Sequence, residues 1–252
     1  MTDTAPAEIL DALPPATHDV LRELTSGLKT ALGDCLTALV VYGSAVRGGY
    51  REGESDIDIV LVLKDTSLAM LTAAGSPLML ARHRGRVEAL ILKTTDVDRA
   101  SDVFPLFYDD IRQRHVVLAG RDPFAGLRIS DHHRRLRIEQ ELREAQIRMR
   151  RAAADALGDE STLAGAVTRK VKQLRGPLHA LLLLRGSPGG KKDSPGDDRL
   201  ETVLAAVSRT YGIDTEPLLR VQENPAAAHA ALRKVLDAAI EEVDRLEHGG
   251  EA

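Results

Sequence analysis

The chain has no tryptophan, three phenylalanines and four tyrosines, so aromatics make up 3% of its 252 residues. So few π faces argue against a surface that stacks the bases of single-stranded nucleic acid. They also leave the core to Leu, Val, Ile and Ala. A single cysteine, Cys35, excludes an internal disulfide and suits a reducing compartment. Standing just ahead of an apolar run, it is expected as a buried, inert thiol. Basic charge is also short: 34 Lys and Arg face 38 Asp and Glu, for a net charge of −4. No global field therefore favours DNA or RNA, and a nucleic-acid partner is not expected. No window is apolar over the length a bilayer requires. The opening MTDTAPAEIL lacks both a basic start and a long apolar run. Neither a signal peptide nor a membrane anchor is expected, and a cytoplasmic protein is.

What is present is a globular balance, 43% hydrophobic and 29% charged residues, over a length that suits one large domain or two ordinary ones. The chain is organised around residues 40–64, VVYGSAVRGGYREGESDIDIVLVLK. The apolar, β-branched start predicts a buried strand. Gly43 and Ser44 end it in a tight turn, where glycine takes backbone angles closed to other residues. A glycine-rich loop follows, then a second strand carrying Asp56 and Asp58. Strand side chains alternate, so the two acids share one face while Ile57 and Ile59 point into a core. Paired carboxylates repel each other, and the usual compensation is a divalent cation with oxygen ligands, most often magnesium bridging to phosphates. A turn with free N–H groups ahead of a helix suits the phosphates themselves. The plain alternative is an ordinary Gly-Ser turn before an exposed edge strand.

At Gly43, Ser44, Asp56 and Asp58 the sequence resembles the nucleotidyltransferase superfamily related to DNA polymerase beta, whose signature is an apolar strand, a Gly-Ser turn, a spacer and Asp-x-Asp between apolar residues. The resemblance implies an α/β (α+β) fold, a mixed sheet with helices followed by an α-helical bundle. It also implies Asp56 and Asp58 as catalytic ligands of Mg²⁺ (or Mn²⁺), with Gly43 and Ser44 at the phosphates of an NTP. Arg47, or Arg51 in the same loop, would reach the triphosphate; a solvated hairpin is the plain reading of that loop. Enzymes of this superfamily carry a third acid on a strand beside Asp-x-Asp. Glu88 in RVEALILK (residues 86–93) is the candidate by position, as metal ligand or general base; a surface glutamate at a strand start is the equally matched plain reading. Further on, Asp102, Val103, Phe104, Pro105, Asp110, Val116, Val117, Leu118, Gly120, Asp122, Pro123 and Phe124 resemble a segment of a group of predicted bacterial nucleotidyltransferases. That group often has glutamate where this chain has Phe107. Asp109 or Asp110 would then stand in as the third acid, or chemistry would be absent.

Taken in order, residues 1–15 are expected as a loose arm. A helix with Leu21, Leu24, Leu28 and Leu32 on one face follows, capped by Thr17 or Asp19. Thr66 or Ser67 starts another through Leu68 and Leu71; Gly75-Ser76-Pro77 is expected to break it, with a second piece reaching about Arg84. Arg82, His83, Arg84 and Arg86 form a basic cluster that suits a solvated helix end. Domains are expected at 1–125 and 126–252. The second is helical throughout: a helix from Ser130 or Asp131 with Ile138, Leu142, Ala145 and Met149 inward and Arg134, Arg135, Arg137 and Arg143 on solvated faces, and a helix from about Leu163 to Arg185 kinked or broken at Pro177. Next come a loop over 186–198 whose GGKK fails as a phosphate-binding loop, and helices at about 199–211, 217–221 and 226–247.

The function this implies is magnesium-dependent transfer of a nucleoside monophosphate from an NTP to an acceptor hydroxyl on a small molecule, since aminoglycoside nucleotidyltransferases also carry a helical bundle after such a domain. Two alternatives stay open: a catalytically lapsed domain that binds nucleotide or a protein partner, and a protein-modifying, antitoxin-like nucleotidyltransferase. A homo-oligomer is compatible with the sequence.

Overall fold

The computed structural model describes residues 10–186 and 198–248, in two compact units that divide after Ile129. The first residues of the expected arm and nearly all of the 186–198 loop, GGKK included, lie outside the described residues.

The first unit is built on a four-stranded sheet in the order β3-β2-β1-β4, with β1 at Leu36–Tyr42, β2 at Ile57–Leu63, β3 at Val87–Lys93 and β4 at Val116–Gly120. β2 and β4 run antiparallel to β1, and β3 runs parallel to β2, so the sheet is mixed. The central strand β2, IDIVLVL, is buried on both faces, which accounts for its nearly unbroken apolar run. Leu39, Val41, Ile57, Ile59 and Leu61 face helices α1 (His18–Leu32) and α3 (Leu68–Gly85). Between them in sequence lies the one-turn helix α2 (Ser44–Arg47). On the other face Val40, Val60 and Val62 meet Tyr108 and Ile111 of α5 (Pro105–Gln113), joined by Phe124. The short α4 (Thr94–Arg99) follows β3 and contributes Val97 to that face.

Four local expectations are corrected. The arm packs from its tenth residue on: Leu10 and Leu13 are 1% and 4% exposed, because the apolar face they add closes the core beneath α1. Neither proposed side chain caps α1; Thr17 occupies the N-cap, but its hydroxyl donates to the Pro14 carbonyl. Helix α3 is continuous through Pro77, where the proline ring lies close against Gly27 of α1. Cys35 is half-exposed, its thiol 3.4 Å from the Asp65 carbonyl oxygen.

Among the described residues the second unit has helices and no strand: α6 (Asp131–Asp155), α7 (Glu160–Arg185), α8 (Leu200–Tyr211), α9 (Glu216–Leu219) and α10 (Pro225–His248). Ser130 caps α6 by accepting from the His133 N–H. The expected stripe of Ile138, Leu142, Ala145 and Met149 is buried, against Val171, Leu174, Leu178 and Leu181 of α7 and Leu232, Val235, Leu236 and Val243 of α10 within one unit. Helix α7 runs unbroken through Pro177. Arg135, expected on a solvated face, is 5% exposed and ion-paired to Glu139 at 3.0 Å, one turn along, which meets the cost of burying the charge. Among the described residues no helix is long and apolar enough to cross a membrane.

Candidate functional site

The Gly43–Ser44 turn leaves β1 with Gly43 at φ 74°, ψ −147°, in the N-cap position of α2. The Gly43 carbonyl accepts from the N–H groups of Val46 and Arg47 at 3.2 and 3.1 Å. Ser44 is the first helical residue, so the N–H groups at this end point outward without intrahelical partners. A side chain on Gly43 would overlap the Asp58 carboxylate. Turn and acid are thus pressed together, although fifteen or so residues of chain separate them.

Asp58 lies on β2 with Tyr42 as its register partner on β1 and Glu88 as its partner on β3. All three side chains share the sheet face that α5 covers. Asp56 stands one step before the first residue of β2, just outside the strand rather than on it. Burial pushes the Asp58 carboxyl above its ordinary value, and Asp56 adds to the rise. Arg47 opposes it, while Asp110 and Glu88 reinforce it. The Tyr42 hydroxyl is pushed up to about 12, first by burial and then by the charges of Asp58 and Asp110.

Each of the other acids is held by an arginine. Asp56 Oδ1 accepts from Arg86 Nε at 2.9 Å, with Arg86 Nη2 at 2.8 Å. Glu88 Oε1 accepts from Arg82 Nη2 at 2.7 Å. Asp110 of α5 pairs with Arg47, the last residue of α2. Asp58, the acid packed against the turn, has no hydrogen bond or ion pair among the described residues. The structure therefore brings Gly43, Ser44, Arg47, Asp56, Asp58 and Glu88 into one neighbourhood. Arg51 is turned toward Glu54 at 3.6 Å on the surface. Asp109 lies 3.5 Å from Arg112, on its own helix.

Phe107 occupies the position where an acid was considered. Its ring meets Tyr42 edge-on at 5.8 Å and Tyr108 at 5.3 Å, as part of the packing of α5 on the sheet. Three residues on, one turn of the same helix, Asp110 supplies a carboxylate instead. Sequence reasoning did not single out Tyr42, and it treated Arg82 and Arg86 as a solvated helix end. The available signal was that both arginines stand shortly before Glu88 in sequence, ahead of and at the start of the strand next to Asp-x-Asp.

Among the described residues, no group of three or more His, Cys, Asp or Glu is arranged to hold a metal ion alone. The donor set does fit a hard cation that completes its shell elsewhere. Asp58 offers an unpaired carboxylate and Asp56 an uncommitted Oδ2; magnesium takes one or two carboxylates and fills the rest from phosphate and water.

Comparisons with known proteins bear on this geometry. Residues 21–139 match the family model described as a nucleotidyltransferase domain. A comparison with curated proteins finds no match. Among solved structures, the chain is similar to spectinomycin adenyltransferase AAD(9) from Enterococcus faecialis, solved with ATP and spectinomycin. The identity is 14% and the TM-score 0.43, over 87% of this chain and 99% of that one. The matched residues span the whole sheet, the Gly43–Ser44 turn and the acids Asp56, Asp58, Glu88 and Asp110, so the stretch that carries the candidate site is the one similar to a nucleotidyltransferase domain.

Proposed function

We propose that the protein transfers a nucleoside monophosphate from an NTP to the hydroxyl of a small-molecule acceptor, with Mg²⁺ (or Mn²⁺) held by Asp56 and Asp58. The observation behind this reading is the state of Asp58. It is half-buried beside the Gly43–Ser44 turn, its neighbours Asp56, Glu88 and Asp110 are each paired with an arginine, and among the described residues it forms no ion pair of its own, the nearby Arg47 being tied to Asp110. A buried carboxylate without a partner is costly, and a metal-nucleotide complex supplies the missing charge.

In this mechanism the N–H groups around Gly43 and Ser44 receive phosphate oxygens, as the start of a helix favours anions. Arg47 keeps positive charge beside Asp58 while tied to Asp110, and serves as a counter-charge to the triphosphate. Glu88, one strand over on the same face, takes the acceptor's proton through Oε2, the oxygen that Arg82 leaves uncommitted. The acceptor oxygen bonds to the α-phosphorus as the bond to the pyrophosphate oxygen breaks. Bound magnesium would neutralise charge on the attacking and leaving oxygens. A small-molecule acceptor accords with the net charge of −4 and the scarcity of aromatics, which disfavour nucleic acid.

The test is calorimetric titration of nonhydrolysable ATP and GTP analogues, with and without magnesium, on wild type and Asp58→Asn. Binding is expected in wild type, and is expected to vanish without metal and in the variant. Full binding by Asp58→Asn would refute the assignment. Phe107 favours a second reading, nucleotide binding without turnover, because it removes the acid from one position of α5. Pyrophosphate release from NTP in the presence of candidate acceptors separates the two.

A further inference from the structure

Two of the arginines that hold the site's acids come from one place, the end of α3. Arg82 lies in its last turn, and Arg86 is its C-cap. Arg86 has φ 53° and ψ 40°, the left-handed conformation that glycine normally supplies at a helix end. The sequence does offer a glycine, one residue early. Gly85 is needed where it stands, because a Cβ there would meet Val20 at 2.9 Å. The strained position thus falls to an arginine.

Strain at a long side chain calls for a compensating role, and fold stability does not provide one. Arg86 and Asp56 are both about half-exposed, and exposed ion pairs contribute little. What Arg86 does is grip the Asp-Ile-Asp motif twice. Its carbonyl oxygen accepts from the Ile57 N–H at 3.1 Å, between the two acids. Its guanidinium, through Nε and Nη2, converges on Asp56 Oδ1 alone. Oδ2 makes no hydrogen bond among the described residues. A blocking contact would occupy both oxygens; this one fixes the carboxylate and leaves one oxygen to serve as a monodentate ligand. Asp56 needs such help, since it precedes the strand and no ladder bond orients it.

We propose that Arg86 is the positioning residue of Asp56: it accepts a strained backbone to aim one carboxylate oxygen at the metal-nucleotide complex, as partners of ligating carboxylates do elsewhere. The inference rests on the reading of Asp56 and Asp58 as metal ligands. Arg82 stands to Glu88 in the same one-oxygen relation, from the same turn.

The test separates stability from binding. Arg86→Gly relieves the strained φ, so its melting temperature should equal or exceed that of wild type. Its apparent affinity for magnesium, titrated with the nonhydrolysable ATP and GTP analogues, should fall roughly 10- to 100-fold. Arg86→Lys, which keeps one donor, should recover part of that loss. Wild-type metal affinity in Arg86→Gly would overturn the proposal. So would a parallel loss of stability and affinity in Arg86→Gly that Arg86→Lys does not relieve, since it would mark a structural residue. If wild type itself binds no metal-nucleotide complex, while Arg86→Gly still melts at or above it, the reading of the site fails and the strain argument stands apart from it.

Discussion

Gly43 holds φ 74° with the Asp58 carboxylate against its Cα, so two separate constraints exclude a side chain there. The left-handed backbone alone costs an L-residue about 1–3 kcal/mol, and a methyl group would also push Asp58 off its place. Gly43→Ala is expected to lose stability of that order in denaturant melts and to lose binding of the magnesium–nucleotide analogue with it. Binding at wild-type strength would show that the turn does not receive the phosphates. This glycine, Ser44 and the two aspartates could be picked out in the sequence because their signals are local: a turn ends one strand and an Asp-x-Asp opens the next, although Asp56 falls just before the strand and the shared face expected from alternation applies to Asp58 alone. The partners of these residues were not legible. Arg86 reaches Asp56 across 30 residues, and Arg47 reaches Asp110 across 63. Only the folded sheet and the helix laid over it bring such groups together. Glu88 was an intermediate case. Its strand could be read from the pattern, but its place opposite Asp58 depends on a parallel register that no local feature states.

At the scale of elements, α3 marks the limit of local signals. Gly75-Ser76-Pro77 is a strong turn signal, yet the helix passes through it. Pro77 gives up a backbone donor and crowds the preceding turn, a cost of about 3 kcal/mol in a helix interior. Packing on α1 overrides that cost. The proline Cβ and Cγ lie 3.2 and 3.3 Å from the position a Cβ would take on Gly27, so the two helices approach closely at a glycine. Alanine at 77 would keep the Cβ that faces Gly27 and restore the missing N–H donor. It would surrender the ring Cγ that packs on α1, about 0.8 kcal/mol for a buried methylene, and the rigidity by which proline limits the unfolded chain, about 0.4–1 kcal/mol. Pro77→Ala is therefore expected to raise unfolding stability by about 1–2 kcal/mol. A loss of stability in equilibrium melts would mean that the ring's contact with α1 outweighs the hydrogen bond. The same competition explains Arg135. Its polarity predicted a solvated face, but its position in the stripe buries it and Glu139 supplies the partner.

For the molecule as a whole, apolar periodicity made both units readable: alternation and β-branching gave the sheet, and the four-and-three stripes gave the helices of the second unit. What periodicity leaves out is the polar chemistry inside those stripes, and Tyr211 shows its consequence. It ends α8, and its ring lies beneath the Arg185 guanidinium of α7 at 6.0 Å. Its hydroxyl is buried without a hydrogen-bond partner among the described residues. Burial, reinforced by Glu242 of α10, pushes its ionisation up to about 12 from the ordinary 10.0. A raised value in the folded state means that the unfolded chain releases the proton first. The stability that Tyr211 contributes is thus intact below pH 10.0, declines through the interval up to about 12, and is gone above it. The decline is at most about 1.4 kcal/mol per pH unit. Tyr211→Phe removes both the titration and the unpaired hydroxyl, whose burial costs about 1–3 kcal/mol. The variant should melt at or above wild type at neutral pH, and its advantage should widen steadily as the solution is taken through the alkaline interval. Tyr42 is also pushed up to about 12 but is present in both proteins, so the difference between them isolates Tyr211. An advantage that stays constant with pH would mean that the hydroxyl meets water in the folded state and ionises there as it does in the unfolded chain.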